Sequence, residues 1–163
     1  MLSKKIITAL NGQVAAEFYS AYLYLAMSTW LTGEGLPGAT NWMNIQAREE
    51  LEHGHKIINY LLERESQVKL SPIEAPPYKW KSALDVFEQA YAHEKKVTGL
   101  INNLMSIAKA ESDYATEIFL QWFITEQIEE ENAALENVRL LKLAESGQNS
   151  ALFMADRQLG TRT

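Results

Sequence analysis

The segment from Ser66 to Lys81 restricts the folds open to this chain more than any other stretch. It carries Pro72, Pro76 and Pro77 within a few residues of one another. Proline removes a backbone donor and clashes with the preceding helical turn, so the segment reads as an extended crossover, not a helix. At roughly 3.3 Å per residue it spans on the order of 50 Å, enough to travel the full length of a helix of about 28 residues. Long helical patterns flank it on both sides. The helix after the crossover therefore starts at the same end as the helix before it and runs parallel to it, which is the geometry of a four-helix bundle with one long connection.

The helices themselves are read from periodicity. Ile6, Leu10, Val14, Glu17, Ala21, Tyr24, Ser28 and Leu31 share one face and predict a first helix over 3–32. Gly33-Glu34-Gly35-Leu36-Pro37-Gly38 stops it and places a proline where a first turn accepts one. A second helix over 37–65 puts Trp42, Gln46, Glu50, His53, Ile57 and Tyr60 on its inner stripe. The crossover occupies 66–82. Ser82 with Asp85 has the form of a capping box, and Leu84, Phe87, Tyr91, Glu94, Thr98, Ile101, Met105 and Ala108 predict a third helix over 83–110. Glu111-Ser112-Asp113 offers N-cap residues for a fourth helix over 113–143, with Phe119, Phe123, Gln127, Glu130, Ala134, Val138 and Leu141 facing in. After Ser146-Gly147-Gln148-Asn149 a short apolar piece, 150–158, reads as a fifth helix against a neighbour or as a frayed end. Residues 1–163 are most economically one domain.

Every inner stripe is interrupted by polar residues, and these share a height. In an antiparallel hairpin two residues stand opposite one another when their mean position falls on the turn. Glu17 and Glu50 have their mean at 33.5, inside the first break, and Glu94 and Glu130 at 112, which is Ser112 in the second. The parallel second and third helices link the two hairpins, because Glu50 lies 13 residues after Pro37 and Glu94 lies 12 after Ser82. Four glutamates, one per helix, thus reach mid-bundle together. Glu50 and His53 also project from one face of their helix. Buried carboxylates cost several kcal/mol each unless something neutralises them, and two divalent cations cancel the four charges. Oxygen-rich ligation with one imidazole suits iron or manganese better than a closed zinc site.

Bulk properties narrow the alternatives. Net charge is -6 and there is no cysteine, which argues against nucleic acid as the main partner and excludes thiolate metal sites, iron-sulfur clusters and disulfides. No apolar run is long enough to span a membrane, and the first residues, MLSKKIITALNGQ, are interrupted too soon for a signal peptide. A cytoplasmic location is the default.

Glu17, Glu50-x-x-His53, Glu94 and Gln127-x-x-Glu130, together with the Pro-rich crossover and the short last helix, resemble the bacterial non-haem ferritins over essentially the whole chain. The fold implied is all-α, a ferritin-like four-helix bundle with one long crossover and a short C-terminal fifth helix. The resemblance implies a di-iron centre in which Glu17 and His53 bind one iron, Glu94 and Glu130 the other, and Glu50 bridges them, with Gln127 beside the oxygen-binding position. It implies a third iron site at Glu49, Glu126, Glu129 and Glu130, and a Tyr24 close to the irons. By the same likeness the chain is an iron-storing ferroxidase that takes Fe(II) with O2 or H2O2 as substrates. It would assemble as a homo-oligomeric cage of twenty-four subunits. Haem is not expected, since Leu51 stands where haem-containing relatives carry methionine. Trp122 is a further candidate electron donor, whereas His55 and His93 point off the inward stripes and read as surface residues. The alternatives are a di-iron peroxidase or oxygen-activating enzyme that stores nothing, and a metal-free binding bundle.

Overall fold

The computed structural model describes residues 1–146 and 149–163; the Gly147-Gln148 part of the expected last break lies outside them. Among the described residues five α-helices follow in order: α1 (Lys4–Gly33), α2 (Pro37–Glu63), α3 (Ala83–Ala110), α4 (Tyr114–Glu145) and α5 (Asn149–Leu159). Local chemistry sets most of the boundaries. Ser3, Ser82 and Asp113 cap α1, α3 and α4 by accepting from the backbone N–H three residues on. Asp85 reaches back to the Lys81 N–H at 2.9 Å, a near-reciprocal form of the expected capping box. The ends of α1, α2 and α3 close by paired backbone bonds, such as Ser66 N to Leu61 O and Glu65 N to Leu62 O. Such closure needs a left-handed residue. Gly35 supplies it after α1, but Glu65 (φ 52°) and Ser112 (φ 53°) supply it after α2 and α3, where a glycine would be less strained.

The crossover runs alongside α1. Asn11 holds its beginning, donating to Gln67 O and accepting from Lys69 N at 2.6 Å, and Trp80 at its far end packs edge-on against Trp30. Asn11 sits near the start of α1 and Trp30 near its end, where the short turn into α2 also lies. The third helix thus begins level with the second and runs parallel to it. Among the described residues this is an all-α bundle of four long helices with one long crossover and a short fifth helix, the architecture the resemblance implies.

The inner stripes expected for α1 and α2 are buried throughout. On α3 the stripe is rotated by about one residue: Val86, Ala90, Val97 and Leu104 are buried, while Leu84, Tyr91, Thr98 and Met105 are only partly covered. Phe87, Glu94, Ile101 and Ala108 belong to both readings, so the buried face alternates three- and four-residue steps, as bundle helices do.

Helix α5 is anchored, not frayed. Asp156 accepts from the N–H groups of Gly38 (3.0 Å) and Ala39 (2.8 Å), supplying from another helix the cap that Leu36 cannot give α2. A Cβ on Gly38 would lie 1.7 Å from the Asp156 carbonyl oxygen, so only glycine permits this approach. No helix among the described residues is long and apolar enough to cross a membrane.

Among the described residues the core falls into two apolar clusters. One gathers Met27, Leu31, Met43, Phe87 and Leu141 among others; the second gathers Ile6, Leu10, Ile57, Ile101 and Leu120. On each of the four long helices a group of buried polar residues lies between the two, whereas Asn11, Ser28 and Thr116 are buried among the apolar residues themselves.

Candidate metal centre

That intervening layer consists of Gln13, Glu17 and Ser20 on α1, Gln46, Glu50 and His53 on α2, Glu94 on α3, and Gln127 and Glu130 on α4, all buried. Oxygens of Glu17 and Glu50 and a ring nitrogen of His53 lie within 4.8 Å of one another, close enough to share one cation. His53, Glu126 and Glu130 form a second such group, so His53 stands between the two. Its Nδ1 is 3.3 Å from Glu50 Oε2 without the alignment of a hydrogen bond.

The hydrogen bonds are unevenly distributed. Gln13 donates to Glu17 Oε1 at 2.9 Å, and Gln46 Nε2 lies 3.4 Å from Glu50 Oε1, but Glu17 Oε2 and Glu50 Oε2 are buried with no hydrogen-bond partner among the described residues. On the other side Tyr24 donates its hydroxyl to Glu94 Oε1, Gln127 donates to Glu94 Oε2 at 3.2 Å, and Gln46 donates to Glu130 Oε2 at 2.6 Å. An orphaned buried carboxylate oxygen is costly, and two of them facing one imidazole form a donor set that a cation would satisfy.

Electrostatics follows from this crowding. Burial pushes Glu17 up to about 8, with the Glu50 charge adding to it, and burial followed by the Glu94 charge pushes Glu130 up to about 7. Glu50 is raised well above the usual carboxylate range by burial and then by Glu94 and Glu130, and Glu94 is raised chiefly by burial. Without a cation the layer therefore retains protons near neutral pH. Tyr24 is pushed well above 10 by burial and by the Glu94 charge, so it remains a hydroxyl donor.

A family model described as Ferritin-like domain matches residues 7–144. The chain belongs to the ferritin family. It is 39% identical over 162 residues to a bacterial non-heme ferritin of Bacteroides fragilis (strain 638R), covering 99% of this chain and 100% of that protein. Identity to a bacterial non-heme ferritin of Campylobacter jejuni is 41% over 159 residues, covering 98% and 95% respectively. Among solved structures, an open-pore ferritin of the hyperthermophilic archaeon Archaeoglobus fulgidus superimposes with a TM-score of 0.97 at 44% identity over the full length of both chains. An engineered closed form of the same ferritin gives 0.97 at 44%, covering 100% and 99%.

Within this ferritin fold the other predicted residues are less concentrated. Glu126 is half-buried, Glu129 is exposed, and Glu49 is held by Arg162. Trp122 is 38% exposed, with its ring edge-on to His53 at 5.3 Å and the Lys56 ammonium over its face at 4.1 Å. His55 is exposed, as expected. His93 corrects the expectation of a surface residue. It is half-buried against α1, with Nε2 2.8 Å from Ser20 Oγ and its ring between Tyr19 and Tyr24, because the seam between α1 and α3 covers the position next to Glu94. Burial first, then Lys96, lowers it to about 4, which keeps the imidazole neutral.

Two participants were not foreseen as such. Gln46 sits one turn before Glu50 on the same stripe, so periodicity marked its position but not its role in orienting carboxylates. Gln13 lies off the predicted stripe of α1, and only its i, i+4 relation to Glu17 could have pointed to it.

Proposed function

We propose that the chain is a single ferritin-like di-iron domain that stores iron, oxidising Fe(II) at the mid-bundle layer and depositing Fe(III) as a hydrated oxide within a cage of twenty-four copies. The observation that carries this reading is the pair of orphaned, buried oxygens, Glu17 Oε2 and Glu50 Oε2, beside His53. A proton or a cation must compensate them, and Fe(II) is the substrate that such oxygen and imidazole donors suit.

In this reading Glu17 and His53 hold one Fe(II), Glu94 and Glu130 the second, and Glu50 bridges. Binding displaces the protons that burial retains on these carboxylates, so iron uptake releases acid. Glu94 keeps the Tyr24 hydroxyl on Oε1 and gives Oε2 to iron by releasing Gln127, which then faces the oxidant. The two Fe(II) give one electron each to one O2, which leaves with two protons as H2O2, or to one H2O2, which with two protons leaves as two waters, and hard glutamate oxygens favour the Fe(III) product. A third iron at Glu49, Glu126, Glu129 and Glu130 is supported in part by the His53, Glu126 and Glu130 group, which contains two of those four residues and shares His53 and Glu130 with the pair.

Assembly has its own support. An outer cavity of about 840 Å³ between α1 and α2 is lined by Phe18, Tyr22, Leu25 and Leu51 with Ile73 of the crossover, several of them large apolar residues left exposed. A second copy would cover it. The protein is proposed to act in the cytoplasm.

Aerobic loading tests storage: far more than three irons per chain should stay soluble as ferric core, whereas a plateau at two favours a non-storing di-iron enzyme. Glu50→Ala with Glu94→Ala should abolish tight anaerobic Fe(II) binding while keeping the helical fold, and unchanged binding rejects the centre. Particle mass in solution tests the cage.

A further inference from the structure

Arg162 follows α5 and is remote in sequence from the metal layer, yet its guanidinium reaches the edge of it. Nη1 donates to Gln46 Oε1 at 2.7 Å and approaches the Trp42 carbonyl at 3.5 Å, Nη2 donates to Glu49 Oε2, and Cζ lies 4.4 Å from the Trp42 ring centroid. Asn41 donates to the Arg162 carbonyl at 3.0 Å, and the Asp156 cap on α2 fixes the helix from which the segment departs. Arg162 is itself largely covered, with 23% of its side chain exposed, so the fork is held and not waving in solvent.

Gln46 is the consequential partner. An amide has one acceptor end and one donor end, and Arg162 occupies the acceptor. The donor end is thereby turned inward, where it meets Glu130 Oε2 at 2.6 Å and Glu50 Oε1 at 3.4 Å. Turned the other way, the Gln46 carbonyl oxygen would face two carboxylates. A planar fork that grips two acceptors at once is a property of arginine that lysine lacks. Glu49 is the second acceptor, and its charge already bears on Glu130.

We propose that Arg162 is a positioning residue of the metal layer: one arm fixes the Gln46 amide toward Glu130 and Glu50, while the other occupies Glu49 until a third cation displaces it. This rests on the iron reading above and adds a competition to it. The same guanidinium supports the cation at Glu94 and Glu130 and opposes the third, which needs Glu49 besides the shared Glu130; its loss weakens the former, while for the latter the release of Glu49 outweighs the loosening of Glu130.

Anaerobic Fe(II) titration by calorimetry of the full-length assembled protein tests this, comparing wild type with Arg162→Ala and Arg162→Lys. In Arg162→Ala the third cation should bind about fivefold more tightly, the equivalent of a partly exposed ion pair removed. The cation at Glu94 and Glu130 should weaken by up to about tenfold, as when an outer hydrogen-bond partner of a ligand is lost. The cation at Glu17 and His53 should move less than about twofold. Arg162→Lys keeps the charge without the fork and should show the same two shifts, smaller, which carries the test should the alanine variant lose α5. In a Glu49→Gln background Arg162→Ala should no longer tighten the third cation, whereas general loosening would weaken every site, the one at Glu17 and His53 included, in either background. Wild type binding fewer than two cations sinks the iron reading and the proposal with it. Wild type binding them, with both Arg162 variants unaltered, sinks the Arg162 assignment alone.

Discussion

The α1–α2 half of the polar layer and the α3–α4 half each bring two glutamates, but the protein supplies a donor to both oxygens of only one of the four, Glu94. Glu94 receives a donor on each oxygen, from Tyr24 and Gln127, and Glu130 receives one from Gln46. Glu17 and Glu50 each keep an oxygen without a partner and face the layer's imidazole. The bundle therefore closes Glu94 by itself, at the expense of rearrangement when a cation arrives, orients Glu130 through one oxygen, and leaves Glu17 and Glu50 pre-formed with an orphaned oxygen each. Metal affinity should follow that division, with the first cation on the α1–α2 side.

The largest effect that could break this comparison is on the first cation. Glu17→Ala should weaken its anaerobic binding about 100-fold or more and Glu94→Ala by less than about tenfold; equal losses would make the halves equivalent. Next comes pH. Glu17 and Glu130 have folded-state pKa values raised from 4.5 to about 8 and about 7, so the folded form favours their protonated states. That contribution to stability is complete below about 4.5 and is lost as pH rises through 7 and 8. The melting temperature of the metal-free protein should fall over this interval, and one equivalent of a divalent cation should remove most of the fall.

Tyr24→Phe sharpens the comparison by making the halves alike. It removes the donor to Glu94 Oε1 and should destabilise the metal-free protein by about 1–3 kcal/mol in chemical denaturation, the cost of orphaning a buried acceptor. Smallest is Gln13→Met, which deletes one donor from a half that is already incomplete. Its cost should be about 1 kcal/mol or less, and a loss as large as that of Tyr24→Phe would contradict the asymmetry.

Much of this was legible because helical geometry is regular. The inner stripes of α1 and α2, the common height of the four glutamates and the parallel course of α3 follow from a 3.6-residue period and a 1.5 Å rise, which hold over long uninterrupted helices. What escaped depends on contacts that no period encodes. The face of α3 was displaced because a stripe can be drawn one residue to either side when Leu84, Tyr91 and Met105 are apolar too. From sequence alone His93 reads as a surface residue, because its cover comes from Ser20 and Tyr19 on another helix. The firmness of α5 rests on the close approach of Gly38 to Asp156, residues 118 apart in the chain. Arg162 gave no local signal at all, since a lone arginine after a helix is ordinarily solvated.

The division of the apolar interior into two clusters has a consequence for how such a molecule changes over time. Cohesion resides at the two extremities, where aliphatic and aromatic packing owes nothing to ions. The waist between them is then free to be refurnished, residue by residue, with other donors and other reactivities, while the girders on either side keep the chain folded throughout.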